Sequence, residues 1–371
     1  RDRFGIKPFY YYLDSEKLIF ASEIKGIIKH PEINKDIDYS SMADFLIYRY
    51  VPSPKSIYKN IKKLKPGNYL EFDINNFNIC KNEYWNLTFR SHEKINFEQA
   101  LSKTNKLLKN SIKNHLVSDV PVGVFLSGGY DSSSIIHFMN QLKYPVKSFS
   151  IGFDGWEKSE HNDAKVVSNI FQTNHYEQIL PNNLGENIEK LSFYYDEPLG
   201  GSSFMPTFAV SKLAAQDVKV VLCGDGGDEV FAGYNWHYNI LEDASTLKGK
   251  IKNTLKGSDR LLRLYRDQMD WSGFTYNELR KLFKFGILED YNPEDIWLYK
   301  DYDNPKLSSV KRLQLLDFNT FLPEVINTKV DRATMAYSIE ARVPFLDHEL
   351  VEYVFQLPDH FYYERGTKKK L

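Results

Sequence analysis

Val122-Gly123-Val124-Phe125-Leu126-Ser127-Gly128-Gly129-Tyr130-Asp131-Ser132-Ser133 is the stretch on which the fold turns. Its first five residues are apolar or glycine over the length of a strand, and Ser132–Gln141 then takes up a helical pattern. A buried strand that passes through a glycine turn into a helix is the repeating unit of parallel α/β sheets. It delivers the turn to the C-terminal sheet edge, where open α/β folds bind ligands. The two glycines permit positive φ and close approach of a ligand to the backbone. Ser127, Ser132 and the free N–H groups of the new helix would face an anion at the positive end of the helix dipole. Asp131 would repel a phosphate unless a cation stood between them, which implies Mg²⁺. The GxxxxGK[ST] spacing occurs nowhere in the chain, so this is not an ordinary P-loop. The plainer alternative is a tight strand–helix turn with Asp131 or Ser132 as a helix cap.

Outward from this stretch the alternation continues. A helix over Phe97–His115 precedes it. Strand Val146–Gly152, helix Ala164–Phe171, strand Tyr176–Leu180, helices Asn187–Tyr194 and Pro206–Gln216, and strand Val218–Cys223 follow. The pattern predicts an α/β core over 97–234, a doubly wound parallel sheet covered on both faces. From about residue 235 to 371 the pattern is helical, with no further strand expected. The polar stretch Asn86–Asn96 reads as a linker. Residues 1–85 read as a separate α+β piece. It has a hairpin around Asp14-Ser15-Glu16, short helices at Glu23–Lys29 and Ser41–Tyr50, and a strand Tyr69–Asp73 after Lys65-Pro66-Gly67. Arg1 falls within what reads as a strand, so a preceding segment is expected.

The chain has 371 residues, 42% hydrophobic and 15% aromatic, enough for about two domains with real cores. A formal net charge of -1 gives no electrostatic reason to expect nucleic acid or an anionic membrane as partner. The apolar runs fall far short of the ~20 residues of a membrane helix. Two cysteines, Cys80 and Cys223, lie far apart without CxxC spacing, which argues against a disulfide framework or structural zinc and fits a reducing cytoplasm.

A second strand runs into Gly224-Asp225-Gly226-Gly227-Asp228-Glu229, then Val230-Phe231-Ala232-Gly233-Tyr234. Three carboxylates on one short glycine loop repel each other, and Mg²⁺ with one or two carboxylates plus phosphates relieves that repulsion. Asp131 and Asp228 are therefore expected to flank a metal–pyrophosphate, leaving Asp225 for another substrate. A solvated acidic turn or a calcium loop is the alternative, although the DxDxDG spacing is missing. A third segment, Asp331-Arg332-Ala333-Thr334-Met335-Ala336-Tyr337-Ser338-Ile339-Glu340-Ala341-Arg342-Val343-Pro344-Phe345-Leu346-Asp347, is dense in charge yet interleaved with apolar residues. Arg332 and Arg342 could clamp a carboxylate or a developing phosphate charge; a structural ion-pair network is the competing account.

These three segments, in this order and with Asp196-Glu197-Pro198 between them, resemble the asparagine synthetase family over roughly residues 95–371. Its synthetase domain carries SGGxDS, G[DE]G[GS]DE-x-F-x-GY and E-x-R-x-PFLD. Arg1–Tyr10, Ala21-Ser22-Glu23-Ile24-Lys25 and Lys65-Pro66-Gly67 look like the end of that family's class-II glutaminase domain. The resemblance implies a fold of the ATP-pyrophosphatase (adenine nucleotide alpha hydrolase-like) type. It also implies amidation of aspartate through β-aspartyl-AMP and pyrophosphate, with ATP, Mg²⁺ and ammonia from glutamine. Carried over residue by residue, Ser127, Gly128, Gly129, Asp131 and Ser132 would hold pyrophosphate, with Asp131 and Asp228 at the metal. Phe125, Ile151, Cys223 and Gly224 would meet adenosine. Asp225 would contact the amino acid or the ammonia, Tyr234, Glu340 and Arg342 would line the pocket, and Asp2 would hold the α-amino group of glutamine. His115 and His137 are read as packing residues.

The chain departs from the family pattern in several places. Neither cysteine can be the family's N-terminal nucleophile, and the family's catalytic lysine is expected in a basic segment past Leu371. Cys223 stands for the more frequent serine and Tyr130 for leucine. The implied partners are small molecules; a homodimer is compatible with the sequence but not specified by it. Two other readings remain: a relative acting on a sugar acid or β-lactam precursor, and a nucleotide-binding module without turnover.

Overall fold

The computed structural model describes all residues except 90–94, 156–158, 182–187, 246–258, 270–273, 275, 284–295 and 365–366. Part of the linker reading, the first residue of the helix expected at Asn187, and parts of the helical region after 235 therefore lie outside the described residues.

The first 85 residues form two antiparallel sheets. β1 (Tyr10–Leu13) pairs with β2 (Leu18–Ala21) and with β3 (Ile61–Lys63), while β4 (Asn68–Asp73) and β5 (Asn78–Glu83) make a hairpin. Between them lie α1 (Ile24–Ile28) and α2 (Tyr39–Tyr48), the latter N-capped by the Asp38 carboxylate. Arg1 is not in a strand: its amino group donates to Asn68 O at 2.8 Å, and regular structure begins at Tyr10.

Next comes α3 (Phe97–His115), opened by a capping box between Asn96 and Gln99. The core is a five-stranded, wholly parallel sheet of β6 (Val122–Phe125), β7 (Lys147–Phe153), β8 (Asn174–Leu180), β9 (Val220–Leu222) and β10 (Glu340–Arg342), in the order β10-β9-β6-β7-β8. Intervening helices are α4 (Tyr130–Gln141), α5 (His161–Phe171), α6 (Ile188–Tyr195), α7 (Phe204–Ala214) and the one-turn α8 (Gly227–Val230). β6 and β9 are buried almost throughout, which is why both read as unbroken apolar runs. From β6 the chain passes to β7 on one side, while β9 lies on the other, so the crevice between the ends of β6 and β9 is the topological switch point.

After residue 235 the described residues are mainly helical, as expected: α9 (Asn235–Ser245), α10 (Arg260–Met269), α11 (Tyr276–Leu282), α12 (Trp297–Lys300), α13 (Ser309–Asn319), a single π-helical turn at Leu322–Ile326, α14 (Asn327–Met335) and α15 (His348–Gln356). The expectation of no further strand fails. β10 joins the parallel sheet, and β11 (Tyr363–Glu364) with β12 (Thr367–Lys368) forms a hairpin. Glu340-Ala341-Arg342 is three residues long and two-thirds charged, so its strand character comes from pairing with β9 and not from local propensity. The apolar side of α2 (Ala43, Ile47, Tyr48) shares a core with Ile240, Leu262, Tyr265 and Leu313, so the N-terminal piece packs into the later helices.

Candidate functional site

At the switch point a cavity of about 910 Å³ opens, near the top of the ~300–1,000 Å³ range of small-molecule sites. Its floor is the turn after β6. Here Ser127 and Ser132 brace each other, Oγ to Oγ at 3.2 Å, and the Gly129 N–H donates to Ser127 Oγ at 3.3 Å. Gly128 has φ +82°, and a Cβ there would lie 2.5 Å from Cβ of Asp163, so a larger residue would push the turn off α5.

The acidic loop after β9 lies directly against this turn. A Cβ on Gly227 would fall 2.5 Å from Cγ of Asp131, and one on Gly224 would fall 3.0 Å from the Ser132 nitrogen. The glycines in this loop therefore make room for the other loop's carboxylate. As a result Asp131 and Asp228 converge on one cation: Lys369 Nζ stands 2.5 Å from Asp131 Oδ2 and 2.8 Å from Asp228 Oδ1. Lys369 follows directly on β12, so the terminal hairpin is what carries its amine into the cavity.

Burial, together with the negative charges of Asp228 and Asp225, pushes the Asp131 carboxyl up to about 6 despite the nearby ammonium. For Lys369, burial works to lower the amine, and the Asp131 and Asp228 charges overcome it and hold it raised. Glu229 is almost fully buried and accepts from the Tyr234 hydroxyl at 2.6 Å; burial pushes its carboxyl up to about 8. Tyr234 in turn stacks on Trp236 with ring centroids 3.8 Å apart.

Of the residues singled out from sequence, Phe125, Ser127, Gly129, Asp131, Ser132, Ile151, Gly224, Asp225, Asp228 and Tyr234 all line this one cavity. Gly128 faces α5, and Cys223 is buried behind the loop with its N–H on Arg342 O. Glu340 and Arg342 do not line it. They border a separate cleft of about 420 Å³ with Lys7 and His115. The Arg342 guanidinium pairs with Glu340 at 2.8 Å and donates to the carbonyls of His115 and Val117 at the end of α3, so its hydrogen bonds are spent on structure. Arg332 is likewise not a clamp: it is buried, donates to Ser22 O at 2.7 Å and pairs with Glu23. The Asp2 carboxylate accepts from the N–H groups of Phe4, Ile6 and Lys7, closing its own loop. His115 and His137 bond within their own helices, to Ser111 and Gln141.

Sequence reasoning missed Lys369, Lys329 and Glu160, which also line the cavity, and gave no role to Glu229, which it had counted among the carboxylates of the acidic loop. A lysine was expected only beyond Leu371. Lys369 sits in a short basic run with no periodicity, and its carboxylate partner Asp131 is 238 positions away. The signal for Lys329 was a lysine on a helix otherwise dense in buried positions.

Among the described residues no group of three or more His, Cys, Asp or Glu side chains could hold a metal by itself. Two carboxylates that share the Lys369 ammonium beside a glycine turn with hydroxyl and backbone donors are nonetheless a donor set of the kind Mg²⁺ takes when phosphates complete its shell. No helix among the described residues is long and apolar enough to cross a membrane.

The asparagine synthase family model matches residues 103–371, and the glutamine amidotransferase domain model matches residues 1–85. A Methanocaldococcus jannaschii protein with the provisional name asparagine synthetase [glutamine-hydrolyzing] 2 is 36% identical over 90% of this chain and 68% of its own length. Asparagine synthetase [glutamine-hydrolyzing] 1 of Bacillus subtilis is 29% identical over 100% of this chain and 61% of its own length; number 3 of the same organism is 28% identical over 96% and 58%. The chain thus spans about three-fifths to two-thirds of the length of these relatives. With a model match across the whole parallel core and its helical extension, the chain belongs to the asparagine synthase family.

Proposed function

We propose that this chain carries the ATP-using half of a glutamine-dependent asparagine synthetase. In this reading aspartate's β-carboxylate attacks the α-phosphate of ATP, pyrophosphate leaves, and ammonia displaces AMP from the acyl adenylate. The observation that supports it most is the convergence of the Ser127 turn and the Gly224 loop on one cation. A cradle that grips the leaving group stabilises charge as it develops, and such preorganised electrostatic terms are usually the largest single contribution to catalysis.

Ser127, Gly129 and Ser132 present hydroxyl and backbone donors to the pyrophosphate. Lys369 supplies a fixed positive charge to the same oxygens. Asp131 and Asp228 would hold Mg²⁺, which when bound neutralises phosphate charge. Phe125, Ile151 and Gly224, at the ends of β6, β7 and β9, border the space for the adenosine. Asp225 lines the same cavity beside Lys329, and the acceptor and the ammonia would meet there. By resemblance, residues 1–85 belong to the glutaminase that would supply the ammonia, with Asp2 at the glutamine amino group. A cytoplasmic location fits two cysteines that are both free.

A protein named amidase chyE from Penicillium rubens, 25% identical over 96% of this chain, keeps a second reading open, with another carboxylate as acceptor. ATP–pyrophosphate exchange across candidate acids decides between them. Exchange that depends on aspartate is expected. Exchange with a different acid and none with aspartate would reject aspartate as the substrate.

A further inference from the structure

Lys311, on α13, is 1% exposed, and among the described residues its ammonium forms no ion pair. Its Nζ lies 4.5 Å from the ring centre of Tyr362 and 4.9 Å from that of Phe355, and it contacts the Tyr362 hydroxyl. The rings offset part of the lost hydration. Burial still pushes the amine down to about 7, with Asp359 acting in the opposite direction. A buried charge without a carboxylate is unfavourable on its own. What it holds is the hydroxyl of Tyr362.

Tyr362 is fully buried, and its hydroxyl has one proton to give. Gln314 Oε1 accepts it at 3.2 Å and is the nearer of two acceptors, with Asp359 Oδ1 at 3.4 Å. The Gln314 amide nitrogen faces the other way and donates to the carbonyls of Glu229 and Val230 at 3.1 and 2.7 Å. These are the last two carbonyls of α8, groups that a helix end leaves without a partner of its own. Two carbonyls require the N–H donors of the buried Gln314, so its oxygen is left for Tyr362. Lys311, Tyr362 and Gln314 thus form one buried chain of donors that runs in a single direction.

None of the three side chains lines the cavity, yet both ends of the chain lead to it. Glu229 directly follows Asp228 in the acidic loop. Tyr362 directly precedes β11, and Lys369 directly follows β12. The two strands of that hairpin are two residues each, too short to be stable alone, so the place of Lys369 depends on what anchors the hairpin's root.

From this geometry we propose that Tyr362 and Gln314, with Lys311 behind them, are positioning residues that clasp the terminal hairpin to the acidic loop and so set Lys369 against Asp228. They touch neither nucleotide nor acceptor. The effect on nucleotide binding rests on the ATP-using reading above, whereas the clasp itself rests on these hydrogen bonds alone.

The test is calorimetric binding of Mg·ATP to the full chain as wild type, Tyr362→Phe, Lys311→Met, Lys369→Met and the Tyr362→Phe, Lys369→Met double variant, each below its melting temperature. Tyr362→Phe keeps the ring, removes the hydroxyl and should weaken binding about 3- to 10-fold, the effect of one hydrogen bond. Lys311→Met deletes a charge that burial disfavours. Its melting temperature should hold or rise while binding weakens about threefold. In the Lys369→Met background the Tyr362→Phe loss should shrink to within about twofold, because the clasp acts through that amine; a purely structural role would leave the loss in place. Unchanged binding in both Tyr362→Phe and Lys311→Met, or a Tyr362→Phe loss that multiplies with that of Lys369→Met, would overturn the proposal. Hydrogen exchange of the ligand-free chain needs no nucleotide. Tyr362→Phe should speed exchange in the acidic loop and the hairpin together, and faster exchange in the hairpin alone would overturn the clasp. Coupled exchange with no binding of Mg·ATP by wild type would sink the ATP reading and keep the clasp.

Discussion

Asp131 carries two opposed demands. It must be a carboxylate to share a cation, yet it sits where burial and two neighbouring acids push it up to about 6, against ~3.9 for an ordinary aspartate. A folded value above the unfolded one means that its contribution to stability is fully present below about pH 4 and is lost as pH rises through about 6. At pH 7 the group therefore works against folding of the ligand-free chain. Asp131→Asn should stabilise that chain by about 1 kcal/mol at pH 7, the gain being reduced by the lost Lys369 contact, and the advantage should vanish near pH 4. Urea unfolding at the two pH values measures it; a stability difference that does not change with pH would refute the assignment. The residue type alone made Asp131 and Asp228 legible, because an acid beside a phosphate turn calls for a cation. Lys369 was not legible, because its place between them depends on where a separate two-stranded hairpin, far along the chain from both, comes to rest.

Individual elements show why the glycines of the acidic loop are not interchangeable. Gly226 has φ +92° and a Cβ there would meet Leu346 Cδ2 at 2.5 Å, so Gly226→Ala should destabilise the fold by about 1–3 kcal/mol. At Gly227 the added Cβ would meet a movable carboxylate, that of Asp131. Gly227→Ala should therefore leave the melting temperature nearly unchanged while weakening Mg·ATP binding by about tenfold. Thermal melts and nucleotide titrations separate the two, and equal effects on both properties in both variants would contradict this division. The strand–turn–helix units around β6 and β9 were readable from apolar runs that end in glycine. β10 was not, and neither were the partners of Arg332 on α14, because the charges of this stretch look like a ligand-binding segment. Instead Arg342 ties the edge strand to the end of α3, and Arg332 reaches into the first 85 residues. A charged residue reads the same in sequence whether its partner is a substrate or another strand.

Across the whole molecule, the N-terminal piece is joined to the synthetase core by buried charge. Lys63 lies between Glu197 at 2.8 Å and Glu324 at 3.1 Å, all three at most 8% exposed, and Glu197 also accepts from the Ile57 N–H and the Tyr10 hydroxyl. Removing one member of such a cluster strands the others without solvent. Lys63→Met should cost about 3–5 kcal/mol in urea unfolding. A cost under about 1 kcal/mol would show that the joint is not held by these charges. Two pieces with different periodicities were visible in sequence. Their joint was not, because Lys63, Glu197 and Glu324 come from three distant segments and look like ordinary surface residues when read singly.

The account depends most on the two loops acting as one site. Titration of Mg·ATP into wild type, Asp131→Asn, Asp228→Asn and the double variant tests this directly. If one cation is shared, each single change should weaken binding by at least about tenfold, and the double change should cost little more than either alone. Unchanged affinity in both single variants, or losses that multiply as for independent sites, would contradict it.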